Sequence, residues 1–226
     1  MKTSAGIYFR SPGRAFLPLL ALLLISACAT ARYDGSTSRG YAVASWYGPG
    51  FHGKHTASGQ RYDMYAMTCA HKTLPFGTRL RVTNPENGRS AEVVVNDRGP
   101  FVSGRDIDLS YAAAKKIGLV RDGTGRIAVE RLGRDSGYRK YIRQGDPAGK
   151  GPFTIQVGSF RNPSNAEHLR QGLKLGYSNV RIVRARVNGE RFYRVRVGKF
   201  KTRKQAYSYA KGLAEEGYSA LIVQYQ

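Results

Sequence analysis

The sequence predicts two folded domains in series: a mainly β domain with one helix over residues 41–133, then an α+β domain of order βαββαβ over 153–226. Three observations predict this. Short alternating runs bounded by Gly, Asn and Pro dominate the first region. A near-repeat at a shift of forty divides the second, where FTIQVGSF at 153–160 lines up with YRVRVGKF at 193–200. Between them, RDSGYRKYIRQGDPAGKGP at 134–152 carries charge, Gly and Pro without an apolar period and reads as a linker.

Residues 1–27 read as an export leader. Lys2, Arg10 and Arg14 give a basic start, and Phe16–Ile25 is an apolar run too short to span a bilayer. The run ends Ile25-Ser26-Ala27-Cys28, which resembles a bacterial lipobox with Cys28 as the lipidated mature N-terminus. The alternative is an ordinary cleavage site that falls near a cysteine. Ala29, not Asp, follows Cys28, which in lipoproteins implies outer-membrane retention facing the periplasm. Several acyl chains suffice for stable anchoring. Residues 28–40 are small and polar, as a tether would be.

The chain carries 37 Lys+Arg against 15 Asp+Glu, a formal charge of +22. Removing the leader takes away three basic residues and no acid, leaving about +19. Nucleic acid is the usual partner for such a charge, but an exported chain rarely meets it. An anionic envelope polymer such as peptidoglycan or lipopolysaccharide fits better. With Cys28 lipidated, Cys69 is the one remaining thiol, so no intramolecular disulfide can form. Cys69 lies in the apolar-leaning run MYAMTCAH and reads as a buried, inert thiol. Four scattered His and one Cys offer no metal-binding spacing, and no cofactor is expected.

In the first domain, Tyr41–Tyr47 alternates as a strand. A long, polar, Gly-rich loop follows over 51–78, a length that points to function. Leu80–Thr83 and Ser90–Val95 flank Asn87-Gly88, a tight hairpin signal. Ala91, Val93 and Val95 make the second of these a largely buried strand, which Asn96-Asp97-Arg98-Gly99-Pro100 ends. Asp97 thus sits at the tip of a rigid strand. That suits acid–base chemistry, and it equally suits a turn Asp bonding its own backbone. Ser110 can cap a helix over Tyr111–Ile117, and Gly118 can end it. Ile127–Leu132 reads as the last strand.

In the second domain, Asn162-Pro163 starts one helix and Thr202-x-x-Gln205 caps the other, with Gly176 and Gly217 as stops. Asn188-Gly189 turns the second strand into the third. Alternation puts Phe153, Ile155, Val157, Val183, Ala185, Val187, Tyr193, Val195 and Val197 toward the helices. Thr154, Gln156, Arg184, Arg186, Phe192, Arg194 and Arg196 are then on the open face, as a basic ligand platform or a merely solvated one.

The stretches ASWYGPGFHGKHTASGQRYDMYAMTCAHKTLPFGTRLRVTN and VVVNDRGPFVSGRDIDLSYAAA resemble the rare lipoprotein A family of the bacterial envelope, and the repeat at 153–226 resembles a SPOR domain. The resemblance implies a six-stranded double-psi β-barrel, akin to those of expansins, barwin and the membrane-bound lytic transglycosylase A, followed by a ferredoxin-like βαββαβ domain. It implies endolytic lytic transglycosylase activity on denuded, stem-peptide-free glycan strands, in septal wall remodelling and daughter-cell separation. Asp97, in NDRGP, matches the family's catalytic Asp, and His71, in AHKTLP, a supporting His. The residue after TASG is usually a catalytic Glu, and here it is Gln60, a departure from the pattern. Trp46, Tyr47, His52, Thr56, Ser58 and Arg98 are the expected sugar contacts, although Trp46 equally suits the core. Gln156, Ser159, Phe192, Arg194 and Arg196 are the expected strand-binding set of the SPOR domain.

Cleaving the MurNAc-β-1,4-GlcNAc bond requires an acid to protonate the leaving oxygen. In lytic transglycosylases the 6-hydroxyl of the muramic acid then attacks its own anomeric carbon, giving a 1,6-anhydro end. One carboxylate can serve in turn as acid and base, where ordinary glycosidases use two. Gln60 can hydrogen-bond but cannot transfer a proton as a carboxylic acid does. A non-catalytic peptidoglycan-binding lipoprotein, in which Gln60 marks lost activity, is the alternative.

Overall fold

The computed structural model describes residues 38–138, 140–145 and 150–225. The leader, Cys28 and most of the tether lie outside the described residues. The first domain is a closed six-stranded barrel made of β1 (Arg39–Trp46), β2 (Thr68–His71), β3 (Thr78–Thr83), β4 (Ser90–Asp97), β5 (Ile107–Leu109) and β6 (Thr124–Arg134), in the order β1-β5-β2-β4-β3-β6. β1 runs parallel to β5, and β2 parallel to β4; the other pairings are antiparallel. Closure leaves no exposed sheet edge. Leu80, Val82, Val93, Val95, Ile107, Leu109 and Ile127 fill the interior.

Helix α1 (Tyr111–Lys116) is capped as expected: the Ser110 hydroxyl accepts from the Ala113 amide at 3.1 Å, and Gly118 takes φ +76° just beyond it. Two strands were not expected. β2 lies inside the region read as one long loop, and β5 follows the NDRGP turn. Both are too short, and too buried on both faces, to show a period of two.

The hairpin between β3 and β4 also differs. Only Gly88 has positive φ, so Asn87-Gly88 is not a two-residue turn. The loop spans 84–89, closed by the Asn84 amide on the Arg89 carbonyl at 2.9 Å. The Asn87 side chain instead accepts from the Arg89 amide and donates to the Ile117 carbonyl, tying the loop to the end of α1.

The linker region is partly structured. β7 (Ile142–Gln144) pairs in parallel with β11 (Ala220–Gln224), so it joins the second domain rather than the barrel. That domain runs β8 (Phe153–Phe160), α2 (Pro163–Lys174), β9 (Val180–Val187), β10 (Glu190–Phe200), α3 (Arg203–Glu215), β11, in a sheet of order β7-β11-β8-β10-β9. Asn162 caps α2 through the Ser164 amide, and Thr202 with Gln205 forms a full capping box on α3. Gly217 has φ +95°, whereas after α2 the left-handed position is Asn179, φ 54°, and not Gly176. Asn188 and Gly189 both have positive φ, as a two-residue hairpin turn demands.

That turn corrects the faces read for β9. It fixes the pairs Val183↔Arg194, Arg184↔Tyr193, Ala185↔Phe192 and Arg186↔Arg191. Paired residues share a face. Arg184 and Arg186 therefore lie on the side of Tyr193 and Val195, toward the helices, and Val183, Ala185 and Val187 on the open side. A register read strand by strand misses this, because one slipped residue exchanges the faces of a whole strand.

Candidate active site

β4 carries Asp97 to the rim of the barrel, where it is 6% exposed. Its Oδ1 accepts from the Ala57 amide at 2.7 Å and from its neighbour Arg98's amide at 2.8 Å. The Tyr47 hydroxyl, just past β1, donates to Oδ2 at 3.2 Å. Burial first, then the negative charges of Asp97 and Asp108, push the Tyr47 hydroxyl well above its ordinary value, so it stays a donor at any physiological pH. Asp97 does bond its own backbone, as a turn Asp would, but those contacts use only part of its capacity.

Thr56, Ser58 and Gln60 shape the turn that aims Ala57. The Thr56 amide donates to the Gln60 carbonyl at 2.8 Å, and the Thr56 and Ser58 hydroxyls are 3.0 Å apart. The Gln60 side chain sits at Asn96, next to Asp97: its Oε1 accepts from Asn96 Nδ2 at 3.1 Å and from the Tyr138 hydroxyl at 3.2 Å. His71 is buried at the end of β2, where Ala70 pairs with Asp97. Its Nδ1 accepts from the Thr73 and Leu74 amides, at 3.1 and 3.0 Å, and so holds the following turn. Cys69 is buried in the same strand, and burial raises its thiol far above the ordinary range.

Three expected sugar contacts are placed elsewhere. Trp46 packs on the core, its ring 5.6 Å from that of Tyr111. His52 is exposed, accepts from the Met64 amide and faces Tyr65 rather than Asp97. Arg98 is 2% exposed and turned into the domain interface. Its guanidinium lies 3.9 Å from the Phe76 ring centre. Nε donates to the Tyr218 hydroxyl at 2.7 Å, and Nη1 to the Leu74 carbonyl at 2.8 Å.

Through this interface α2 lies across the barrel rim. A cleft of about 490 Å³ separates them, with Tyr47, Phe51, Lys54, His55, Tyr62 and Asp97 on the barrel side, and Ser164, Asn165, Glu167, His168 and Gln171 among those on α2. His168 Nε2 stands 2.8 Å from Asp97 Oδ1. Phe51, Lys54, Tyr62 and His168 were not expected in the site. His168 gave no sequence signal, since it is a lone His on the polar side of a helix in another domain. His55 and Asn165 also line a second cavity of about 660 Å³, which reaches Gln156, Ser159 and Phe192 on the open sheet face.

That face gathers the five expected SPOR residues. Gln156 pairs with Arg196 and Ser159 with Arg194; Phe192 lies one step further along β10 on the same side. Arg196 is 3% exposed, and its Nε and Nη1 have no hydrogen-bond partner among the described residues. Burial, then Arg181 and Arg194, lower its proton affinity. Among the described residues no three His, Cys, Asp or Glu side chains converge as a metal site.

Residues 40–129 match the family model described as lytic transglycolase, and residues 149–224 match that of the SPOR domain. The endolytic peptidoglycan transglycosylase RlpA of Campylobacter jejuni is 44% identical over 150 residues, covering 60% of this chain and 54% of that one. Its namesake in Vibrio cholerae is 44% identical over 150 residues, covering 66% and 56%. In Pseudomonas aeruginosa the figure is 58% over 97 residues, covering 43% and 28%. The chain thus spans little more than half the length of these curated relatives, or less. Barrel, repeat and both family models agree: the chain belongs to the rare lipoprotein A family, a double-psi β-barrel followed by a SPOR domain.

Proposed function

We propose that this protein is an endolytic peptidoglycan lytic transglycosylase that cleaves denuded glycan strands to 1,6-anhydroMurNAc ends. The observation that carries the reading is Asp97, held by Ala57, Arg98 and Tyr47 in the wall of a cleft of about 490 Å³ between barrel and α2. As acid, Asp97 protonates the glycosidic oxygen while the bond to the anomeric carbon breaks. The resulting carboxylate takes the 6-hydroxyl proton as that oxygen closes onto the same carbon. Water has no part in the step. The Tyr47 hydroxyl and the Ala57 amide keep the carboxylate aimed through both halves.

The SPOR face supplies the targeting. Arg194, Gln156, Ser159 and Phe192 offer charge, hydrogen bonds and an aromatic face to a strand that keeps one lactyl carboxylate per MurNAc, and the buried Arg196 adds its charge from within the sheet. Export, lipidation of Cys28 and retention in the outer membrane would place both domains in the periplasm, with enrichment at the division septum.

The test is to incubate the purified mature protein, and Asp97→Asn, with amidase-treated sacculi and to read the released sugars by mass spectrometry. Anhydro ends from the wild type alone support the enzyme. Reducing ends alone would refute the mechanism. One observation favours a second reading, a binding lipoprotein without turnover: the Gln60 side-chain oxygen, Oε1, is already engaged by Asn96 and Tyr138. Strand binding with no sugar released from the wild type would establish that reading.

A further inference from the structure

We infer that the SPOR domain completes the active site: His168, in α2, is a positioning residue that shares one proton with Asp97 across the domain interface. The inference rests on the transglycosylase reading above and adds a residue that the barrel itself does not contain.

Placement carries it. Ala166, Leu169 and Leu173 turn one side of α2 onto the sheet, which leaves Ser164, His168 and Gln171 toward the cleft. Asn162 and Pro163 fix where the helix begins, and so where His168 falls. The helix is seated on the barrel by a close approach of Gly172 to Arg98, and Arg98 is in turn bonded to Tyr218. His168 itself is only 26% exposed, its ring edge-on to Phe101 at 5.6 Å. It therefore meets Asp97 in one orientation, at 2.8 Å.

The chemistry follows from proton accounting. A transglycosylase must lend a proton to the leaving oxygen and recover one from the 6-hydroxyl. A carboxylate and an imidazole in contact can hold that proton between them. When it passes from the pair to the glycosidic oxygen, the pair is left as carboxylate and neutral imidazole. When the 6-hydroxyl oxygen bonds to the anomeric carbon, its proton returns to Asp97. Nothing else is consumed. Such a pair does without the second carboxylate, which is the position that Gln60 occupies here. The other titratable groups around it are Tyr47, Lys54, His55 and Tyr62 on the barrel and Glu167 on α2 itself, the last bonded to Arg170.

Two measurements on the mature two-domain protein test the inference. In a nitrogen-15 NMR titration, His168 in Asp97→Asn should lose its proton at lower pH than in the wild type; an unchanged titration would overturn the pair. In turnover of amidase-treated sacculi, His168→Gln should lower kcat by about 10²-fold with KM little changed and flatten one limb of the pH profile. Imidazole added to His168→Ala should restore part of kcat. A wild-type kcat and pH profile in His168→Gln would sink the role of His168 alone. A wild type that releases no anhydro ends would remove the enzyme reading and this role together.

Discussion

Gly172 lies against the stem of Arg98 so closely that a Cβ on it would stand 2.6 Å from the Arg98 Cβ and 2.8 Å from its Cγ. The contact joins the two domains, and neither atom can swing away, because both are near the backbone. Gly172→Ala should therefore push α2 off the barrel. Its cost of about 1–3 kcal/mol outweighs the roughly 1 kcal/mol by which Ala favours a helix. Gly212, in α3, has nothing within 4 Å of its would-be Cβ. Gly212→Ala should instead stabilise by about 0.5–1 kcal/mol. Thermal melts of both variants check the opposite signs, and small-angle scattering checks whether Gly172→Ala alone loosens the domain arrangement.

Tyr218 makes the polar half of the same joint. Its hydroxyl accepts from Arg98 Nε, and burial pushes its own pKa up to about 12, so it remains a neutral acceptor. Tyr218→Phe keeps the ring on Phe76 and leaves a buried guanidinium nitrogen without its partner. The expected loss is about 1.5–3 kcal/mol, read as the shift of the urea midpoint at constant slope. A shift within a few tenths of a kcal/mol would show that the Leu74 carbonyl and Glu216, whose Oε2 lies 3.5 Å from Arg98 Nη2, hold Arg98 without it.

The contact of His168 with Asp97 makes docking depend on pH. Burial pulls the His168 pKa down, but the hydrogen bond to Asp97 and its negative charge outweigh this, and the net shift is upward from 6.5. A group whose pKa is raised on docking contributes fully below its undocked pKa, and the contribution is lost as pH rises through the docked one. Limited proteolysis between the domains should thus be slower at about pH 5.5 than at about pH 8.5, with the difference abolished in Asp97→Asn. Equal rates at both values in the wild type would show that His168 contributes nothing to docking.

Much of this was legible in the chain. Ser110, Asn162 and Thr202 announced their helices, because a cap is a local signal read by the next three residues. Asp97 was legible because an alternating strand runs into a turn. Other features depend on contacts that no local pattern encodes. β2 and β5 become strands only when the barrel closes around them. Arg98 looked like a ligand group beside a catalytic acid; it is buried because Phe76 and Tyr218, the latter 120 residues away, close over it. His168 enters the site only through the docking of a second domain. The β9 faces could have been read correctly, since the Asn188-Gly189 turn fixes the register once its two-residue length is taken literally.

Gln60 offers a gain of function. A glutamate there would meet the same two donors, Asn96 Nδ2 and the Tyr138 hydroxyl, so Gln60→Glu requires no rearrangement. It would add a carboxyl group against Asn96, the residue before Asp97 in β4. Release of anhydro sugar should rise by about tenfold or more if proton transfer limits turnover. Unchanged release would mean that Asp97 and its partners already supply the proton.

The corrected faces of β9 make the SPOR surface testable with an internal control. Arg194 pairs with Val183 and Ser159, and so lies on the face with Gln156, Arg196 and Phe192. Arg184 pairs with Tyr193 and lies on the other side. Both substitutions, Arg194→Ala and Arg184→Ala, remove one positive charge. General attraction of a basic protein to an anionic polymer would fall by the same amount in each. A strand bound on the open face would distinguish them. Arg194→Ala should weaken pull-down on denuded glycan by about tenfold or more and scatter septal fluorescence, with Arg184→Ala close to the wild type. If the arginines there pair with lactyl carboxylates, binding to the open face should also fall as salt rises. Equal losses in the two variants would mean that net charge, and not this face, draws the protein to the wall.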